Sequence, residues 1–405
     1  MKQELTGHYM QPNRIQFLYT NIGRGHPFYL DGIIEALIRK GQIGLVRGET
    51  DVFAISGGIT KTAWQLVRLM YRLGSSGGLT GHLYNRLRSD ADYNRPGMVQ
   101  RILSRSVIRE FNRRTDPIVV AHPILTAALR GRSEVIYQHG ELAAPSESLV
   151  HGATKVLVPT EETAGRFVEI GYTPESVLVT GLCIEPPLVR QAGDAFETRL
   201  DRLGQTDSRT GAFFSSGAEP TEHVKRLSLA AMSVAHAGGR VIVFVQRHGR
   251  LQRDSTEQLD KHGLRYTILN EHDPVVSDSD AVTLITFATR RELAHRTAQL
   301  FPEFDFMVAP AHERSNWALG LGLPMFIVGP QIGSYAPHNS CRLLDEKVAV
   351  LINTEDHARN LERLVVGSGS AERLSAMARA GWGRHAINGF EVIADYLHDE
   401  YAAHQ

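Results

Sequence analysis

Residues 305–339 read DFMVAPAHERSNWALGLGLPMFIVGPQIGSYAPHN. FDFMVA from Phe304 and MFIVG from Met325 are short, largely apolar runs, the composition of strands covered on both faces. Between them the polar stretch His312-Glu313-Arg314-Ser315-Asn316 opens a short helix-like segment, which Gly322-Leu323-Pro324 stops. After the second run, Gln331 to Ser334 opens another helix containing His338 and Asn339. Strand, helix, strand and helix joined this tightly describe a parallel sheet with helices on its faces. The two helix N-termini aim at one region, which suits a diphosphate and a sugar; a purely structural crossover has the same pattern.

The same alternation extends in both directions. Upstream in the second half lie GAFFS from Gly211, RVIVFV from Arg240, RYTIL from Arg265 and VTLIT from Val282, and downstream lies VAVLI from Val348. The first half has its own set: RIQFLYT from Arg14, DVFAI from Asp51, PIVVA from Pro117, EVIYQ from Glu134, KVLVP from Lys155 and SVLVT from Ser176. The expected fold is therefore α/β, with two Rossmann-like doubly wound domains facing a central cleft. The boundaries expected are 1–187 for the first domain, 188–209 for a linker beginning after Pro186-Pro187, and 210–370 for the second. Residues 371–405 are expected as a terminal helix packing back on the first domain. In such folds ligands sit beyond the carboxyl ends of the strands, so function is sought in the loops that follow them.

A chain of 405 residues with 42 % hydrophobic and 22 % charged residues is an ordinary globular protein of two domains, neither disordered nor collagen-like. The formal net charge is +0, which opposes a dedicated nucleic-acid binder. That average conceals a polarised segment. From Lys61 to Arg114 there are eleven Lys and Arg against three Asp and Glu, a local excess of +8. Trp64, Leu66, Leu69 and Met70 interleave with Arg68 and Arg72 there. One reading is a face that docks on an anionic membrane or a phosphate-bearing lipid; the other is two helices packed by their apolar stripes with solvated arginines. Cys183 and Cys341 form no CxxC motif, and the polar start MKQELTGHYMQPNR lacks the apolar core of a signal peptide. A cytoplasmic protein, peripheral on the inner face of the membrane, is the expectation.

After the first strand comes Asn21-Ile22-Gly23-Arg24-Gly25-His26-Pro27. Gly23 and Gly25 permit close approach of backbone to a ligand, and equally serve a plain strand-to-helix turn. The loop lacks the third glycine of a dinucleotide fingerprint and the lysine of a P-loop. His26, at the cleft end of a strand, is placed to act as a general base near neutral pH. His122-Pro123 after the PIVVA strand lacks the aspartates of a zinc deacetylase, and His312-Glu313 lacks the second histidine of HExxH. No GxSxG elbow occurs.

The order of these pieces resembles the GT-B glycosyltransferases, in particular the branch of monogalactosyldiacylglycerol synthases and the N-acetylglucosaminyltransferase of peptidoglycan lipid-precursor synthesis. The marks are Gly23 to His26; Asp116-Pro117 leading to His122-Pro123; Val158-Pro159-Thr160-Glu161, Gly171-Tyr172 and Val177 to Gly181; then Gly322-Leu323-Pro324 and Gly333 to Asn339. The resemblance implies a hexosyltransferase that moves a sugar from an NDP-sugar co-substrate to a hydroxyl of a lipid-like acceptor, with no separate cofactor or metal. It implies that His26 deprotonates the acceptor, that Glu141 assists it, and that Gly23, Gly25, His122, Trp64, Arg68 and Arg72 line the acceptor side. On the donor side it implies Ser215, Ser216 and Gly217 as the phosphate loop, Thr286 and Phe287 near the base, and His312, Glu313, Arg314, Ser315, Asn316, Gln331, His338 and Asn339. The family usually has a Glu seven residues before the GLP proline, where it clamps the ribose. Here Trp317 occupies that place, beside Asn316 and one turn after Glu313. Glu219, within the phosphate loop, is expected to repel a diphosphate. A same-fold NDP-sugar hydrolase or epimerase, or a non-catalytic nucleotide-sugar-binding protein, is the alternative.

Overall fold

The computed structural model describes residues 14–22, 25–74, 92–132, 134–205, 208–270, 272–274 and 281–402. Two parallel sheets organise them. The first contains β1 (Ile15–Tyr19), β2 (Val46–Asp51), β3 (Ile118–Val120), β4 (Val135–Gln138), β5 (Lys155–Val158) and β6 (Val177–Val179), in the order β2-β1-β3-β4-β5-β6. The second contains β7 (Thr210–Phe214), β8 (Arg240–Gln246), β9 (Tyr266–Leu269), β10 (Val282–Phe287), β11 (Phe306–Ala309), β12 (Met325–Val328) and β13 (Ala349–Ile352), in the order β13-β12-β11-β7-β8-β10-β9.

Both faces of each sheet are covered, which is why the inner strands are apolar along their whole length. Alternation assigns the faces: Phe17 and Val119 meet the helices Gly25–Arg39 and Gly389–Ala402, while Leu18, Ile118 and Val120 meet Trp64, Leu103, Val107 and Phe111. In the second sheet Phe214, Ile242 and Met307 join a core with Trp317, and Phe213, Val243 and Val308 join one with Val224 and Leu227. Every strand of the sequence reading is present except one. DVFAI is not a strand: Asp51 ends β2, and its carboxylate accepts the Phe53 N–H at 3.0 Å to start a helical turn, Val52–Ile55. The strand before it, VRGETD, is an edge strand of alternating exposure and so carries no apolar run.

Each sheet has one place where the chain leaves in both directions. In the first it lies between β1 and β3, and in the second between β7 and β11, because the strand following β7 lies on its other side. The segment 188–209 is helical over Ala192–Gln205 and belongs to the second core: Arg199 is fully buried and donates to the carbonyls of Phe304, Leu321 and Gly322 at 2.8–3.1 Å. Gly322 follows that turn with φ +59°, a conformation that favours glycine. After Ser370–Gly381, which packs beside Ala192–Gln205, the chain returns to the first sheet as Gly389–Ala402, lying on Gly25–Arg39. The two crossings are tied together by Leu182 N–H to Ala386 O at 2.7 Å and Gly389 N–H to Leu182 O at 3.0 Å. Among the described residues no helix is long and apolar enough to cross a membrane.

Candidate functional site

The crossover point of the first sheet carries two histidines. β1 leads into the helix Gly25–Arg39, whose second residue is His26, and β3 leads into Pro123–Ala128, capped by His122. Their ring centroids are 4.5 Å apart at 52°. His122 Nδ1 accepts the Ile124 N–H at 3.2 Å, so in the neutral ring the proton sits on Nε2. From the loop after β4 comes Glu141, which lies beside the Tyr29 hydroxyl and accepts from Asn339 Nδ2 at 3.4 Å, across the cleft. Burial, with Glu141 as the next cause, holds the Tyr29 hydroxyl well above the usual phenol range. Gly25 begins the helix, and Gly23 lies outside the described residues.

The second sheet's crossover point is polar and buried. Ser215 follows β7, Ser315 starts the short helix after β11, and Gln331 follows β12; β11 lies between the other two, with adjacent strands about 5 Å apart and the outer two about 10 Å apart. Ser215 Oγ, Ser315 Oγ, both side-chain polar atoms of Gln331, Asn339 Oδ1 and Ser340 Oγ are buried without a hydrogen-bond partner among the described residues. Orphaned polar atoms of this kind cost about 1–3 kcal/mol each unless a ligand or water supplies the missing partner. Ser216 is half-buried and Gly217 exposed in the loop above. His312 and Glu313 are half-buried, and Arg314 pairs with Glu313 at 2.9 Å while its guanidinium lies 4.3 Å from the Phe214 ring and 5.3 Å from Trp317.

The two halves meet through polar contacts. Asp31 and Arg290 form an ion pair at 2.7 Å, Glu162 and Arg342 another at 2.6 Å, and Ser334 donates to the buried Glu147. Asn316 Nδ2 donates to Cys183 O at 3.1 Å, and Trp317 Nε1 donates to Glu185 Oε2 at 2.9 Å. Burial pushes the Glu185 carboxyl up, while the Trp317 bond and Arg314 draw it back.

Several expected ligand residues are placed elsewhere. Trp64 is fully buried and donates to Leu103 O at 3.1 Å, so it faces the core and no acceptor. Arg68 stacks 5.5 Å from Phe53, whereas the side chain of Arg72, in the last turn of Gly58–Gly74, lies outside the described residues. Thr286 and Phe287 are buried at the end of β10, separated from β7 by β8, and the Thr286 hydroxyl donates to Asn270 Oδ1 at 2.8 Å. Asn316 is consumed by the Cys183 carbonyl, and His338 is exposed, away from the buried Tyr335, Asn339 and Ser340. Glu219 turns away from the rest of the loop expected to hold a diphosphate: its carboxylate caps the helix Arg250–Lys261, accepting from the Arg250 and Leu251 amides. Glu185, Tyr29 and His223 were not singled out from sequence. Glu185 sits at the Pro186-Pro187 crossing, a visible signal; Tyr29 and His223 carry none beyond their place in the first turns after β1 and β7.

No protein-family model matches the chain, and no curated protein matches its sequence. Among solved structures it is similar to S. aureus MnaA with UDP, at 12 % identity over 96 % of each chain and a TM-score of 0.53. It is also similar to a Listeria monocytogenes protein assigned as a UDP-N-acetylglucosamine 2-epimerase, at 13 % identity over 96 % of this chain and 97 % of that one, TM-score 0.52. A further UDP-N-acetylglucosamine 2-epimerase structure matches at 10 % identity over 96 % and 97 %, TM-score 0.51. At these identities the likeness establishes the fold, two Rossmann-like domains in the GT-B arrangement.

Proposed function

We propose that the protein is a nucleotide-sugar-dependent glycosyltransferase whose donor lies against the orphaned polar cluster of β7, β11 and β12 and whose acceptor hydroxyl lies beside His26. The observation that carries this reading is the pairing of two crossover points: one holds buried polar atoms awaiting partners, the other an imidazole pair. As the acceptor oxygen attacks the anomeric carbon, His26 takes its proton, and the bond from that carbon to the diphosphate oxygen breaks. Thr221–His236 follows β7 and Tyr335–Asp345 follows β12, so the positive ends of their dipoles are available to the developing negative charge. Arg314 is held by Glu313 and two rings, so it acts as a fixed positive charge rather than a mobile clamp.

A lipid-like acceptor and an anionic membrane surface are supported by the helix Gly58–Gly74, which exposes Ile59, Leu66, Leu69 and Met70, and by Met98 and Val99 exposed nearby, among the basic residues of 61–114. Residues 75–91 of that segment lie outside the described residues. Replacing His26 with Ala is expected to lower kcat by about 10²–10⁴ with unchanged nucleotide-sugar affinity. An unchanged kcat overturns the base assignment. A second reading, a same-fold epimerase or hydrolase, draws support from Glu141 and Glu313, two carboxylates close to Tyr29 in the cleft. Release of free sugar or of an epimer without any acceptor favours it.

A further inference from the structure

His223 stands in the first turn of Thr221–His236, is 1 % exposed, and has one nitrogen committed: Nε2 lies 2.7 Å from Pro330 O. A carbonyl only accepts, so Nε2 carries the proton. Burial is the main cause that holds the ring's pKa down to about 4, with His312 and Arg226 adding to it against the Pro330 bond. The ring is therefore neutral, and Nδ1 is a bare lone pair. It is buried and has no donor among the described residues. Pro330 directly precedes Gln331, and His312 precedes the Ser315 helix, so the imidazole sits between the two loops that supply orphaned polar atoms.

An anion fits poorly here, because a phosphate oxygen brings only acceptor lone pairs to Nδ1. A hydroxyl fits: it donates to Nδ1 and accepts from Ser215 Oγ, Ser315 Oγ or Gln331 Nε2, which also lack partners. We propose that His223 is a specificity residue of this cluster, its Nδ1 accepting a hydrogen bond from a sugar hydroxyl of the bound nucleotide sugar. The inference rests on the donor-site reading and adds to it a residue and a ligand group.

The experiment measures binding of UDP-glucose by calorimetry to the full chain, alongside its 2′-deoxy and 3′-deoxyribose and its 2-, 3-, 4- and 6-deoxyglucose counterparts. One deoxy position is expected to weaken binding about 10- to 100-fold, and its identity separates ribose from hexose as the source of the hydroxyl. His223→Gln places an amide N–H where Nε2 was, keeping the Pro330 bond while removing the Nδ1 acceptor. It is expected to bind UDP-glucose as weakly as wild type binds the discriminated analogue, and to show no preference between the two. Should that variant not fold, His223→Asn, which returns an acceptor near Nδ1, carries the same comparison and is expected to retain part of the preference. Wild type binding every analogue equally, or His223→Gln keeping the full preference, overturns the inference. No binding of UDP-glucose or any other nucleotide sugar to wild type instead overturns the donor-site reading on which it rests.

Discussion

Trp317 fills the place where the resembled family carries its ribose-clamping Glu, and the structure predicts what happens when it is altered. The indole is 2 % exposed, lies 5.5 Å from Phe214 and 6.0 Å from Phe301, and gives its N–H to the half-buried Glu185 at 2.9 Å. Trp317→Phe keeps most of the apolar surface and removes that donor. A hydrogen bond to a charged acceptor is worth about 1.5–3 kcal/mol, and the stranded carboxylate adds to the loss. Trp317→Glu, which writes the family residue back, is expected to be worse. It forfeits about 3–5 kcal/mol of buried aromatic packing and sets a second carboxylate beside Glu185. Urea unfolding at pH 7 of wild type, Trp317→Phe, Glu185→Met and the double variant measures the coupling directly, with about 2 kcal/mol expected between the two positions. A coupling within about 0.5 kcal/mol of zero refutes the reasoning, because the pair then contributes no more than two independent residues.

Acid provides a second test: burial lowers the pKa of His139 and His223 from 6.5 to about 4, so the native state binds fewer protons than the unfolded chain below neutrality. Stability is expected to fall as pH drops from about 6.5 to 4, by up to about 3 kcal/mol per ring, and the His139→Gln, His223→Gln double variant should flatten that loss in urea melts. Gly381→Ala sets a Cβ 1.9 Å from Ala318 O and is expected to cost about 2 kcal/mol or more, whereas Gly193→Ala, with nothing within 4 Å in a helix, should be neutral or stabilising by thermal melting. Flotation with anionic vesicles at low salt should carry the protein upward, and Leu66→Glu, on the exposed face of Gly58–Gly74, should weaken that; equal flotation of both variants removes the proposed face.

The fold was legible because inner parallel strands are apolar on both faces, and runs such as RVIVFV and MFIVG have no other comfortable conformation. VRGETD escaped notice for the opposite reason: as an edge strand it is half exposed, and the apolar residues beside it are turned into a helix by the Asp51 cap. In the site, loop position was readable and side-chain direction was not. Sequence places Glu219 beside a diphosphate, yet its left-handed backbone, φ 44°, directs the carboxylate onto the helix Arg250–Lys261. Trp64 reads as part of a basic amphipathic surface, but a 17-residue helix with Thr60 and Trp64 one turn apart buries that face and presents Ile59, Leu66 and Leu69 outward. His223 gave no motif at all, since its meaning depends on Pro330, 107 residues away in the chain.

The central claim is that the orphaned polar atoms of Ser215, Ser315, Gln331 and Asn339 are a nucleotide-sugar site. Calorimetric titration of the full chain with UDP-, dTDP-, GDP- and ADP-sugars tests it most directly, with the Ser315→Val, Gln331→Leu double variant measured in parallel. Saturable binding of at least one donor, weakened about tenfold or more in the double variant, is the predicted result. Binding of none at millimolar concentration, or equal binding by the double variant, contradicts it.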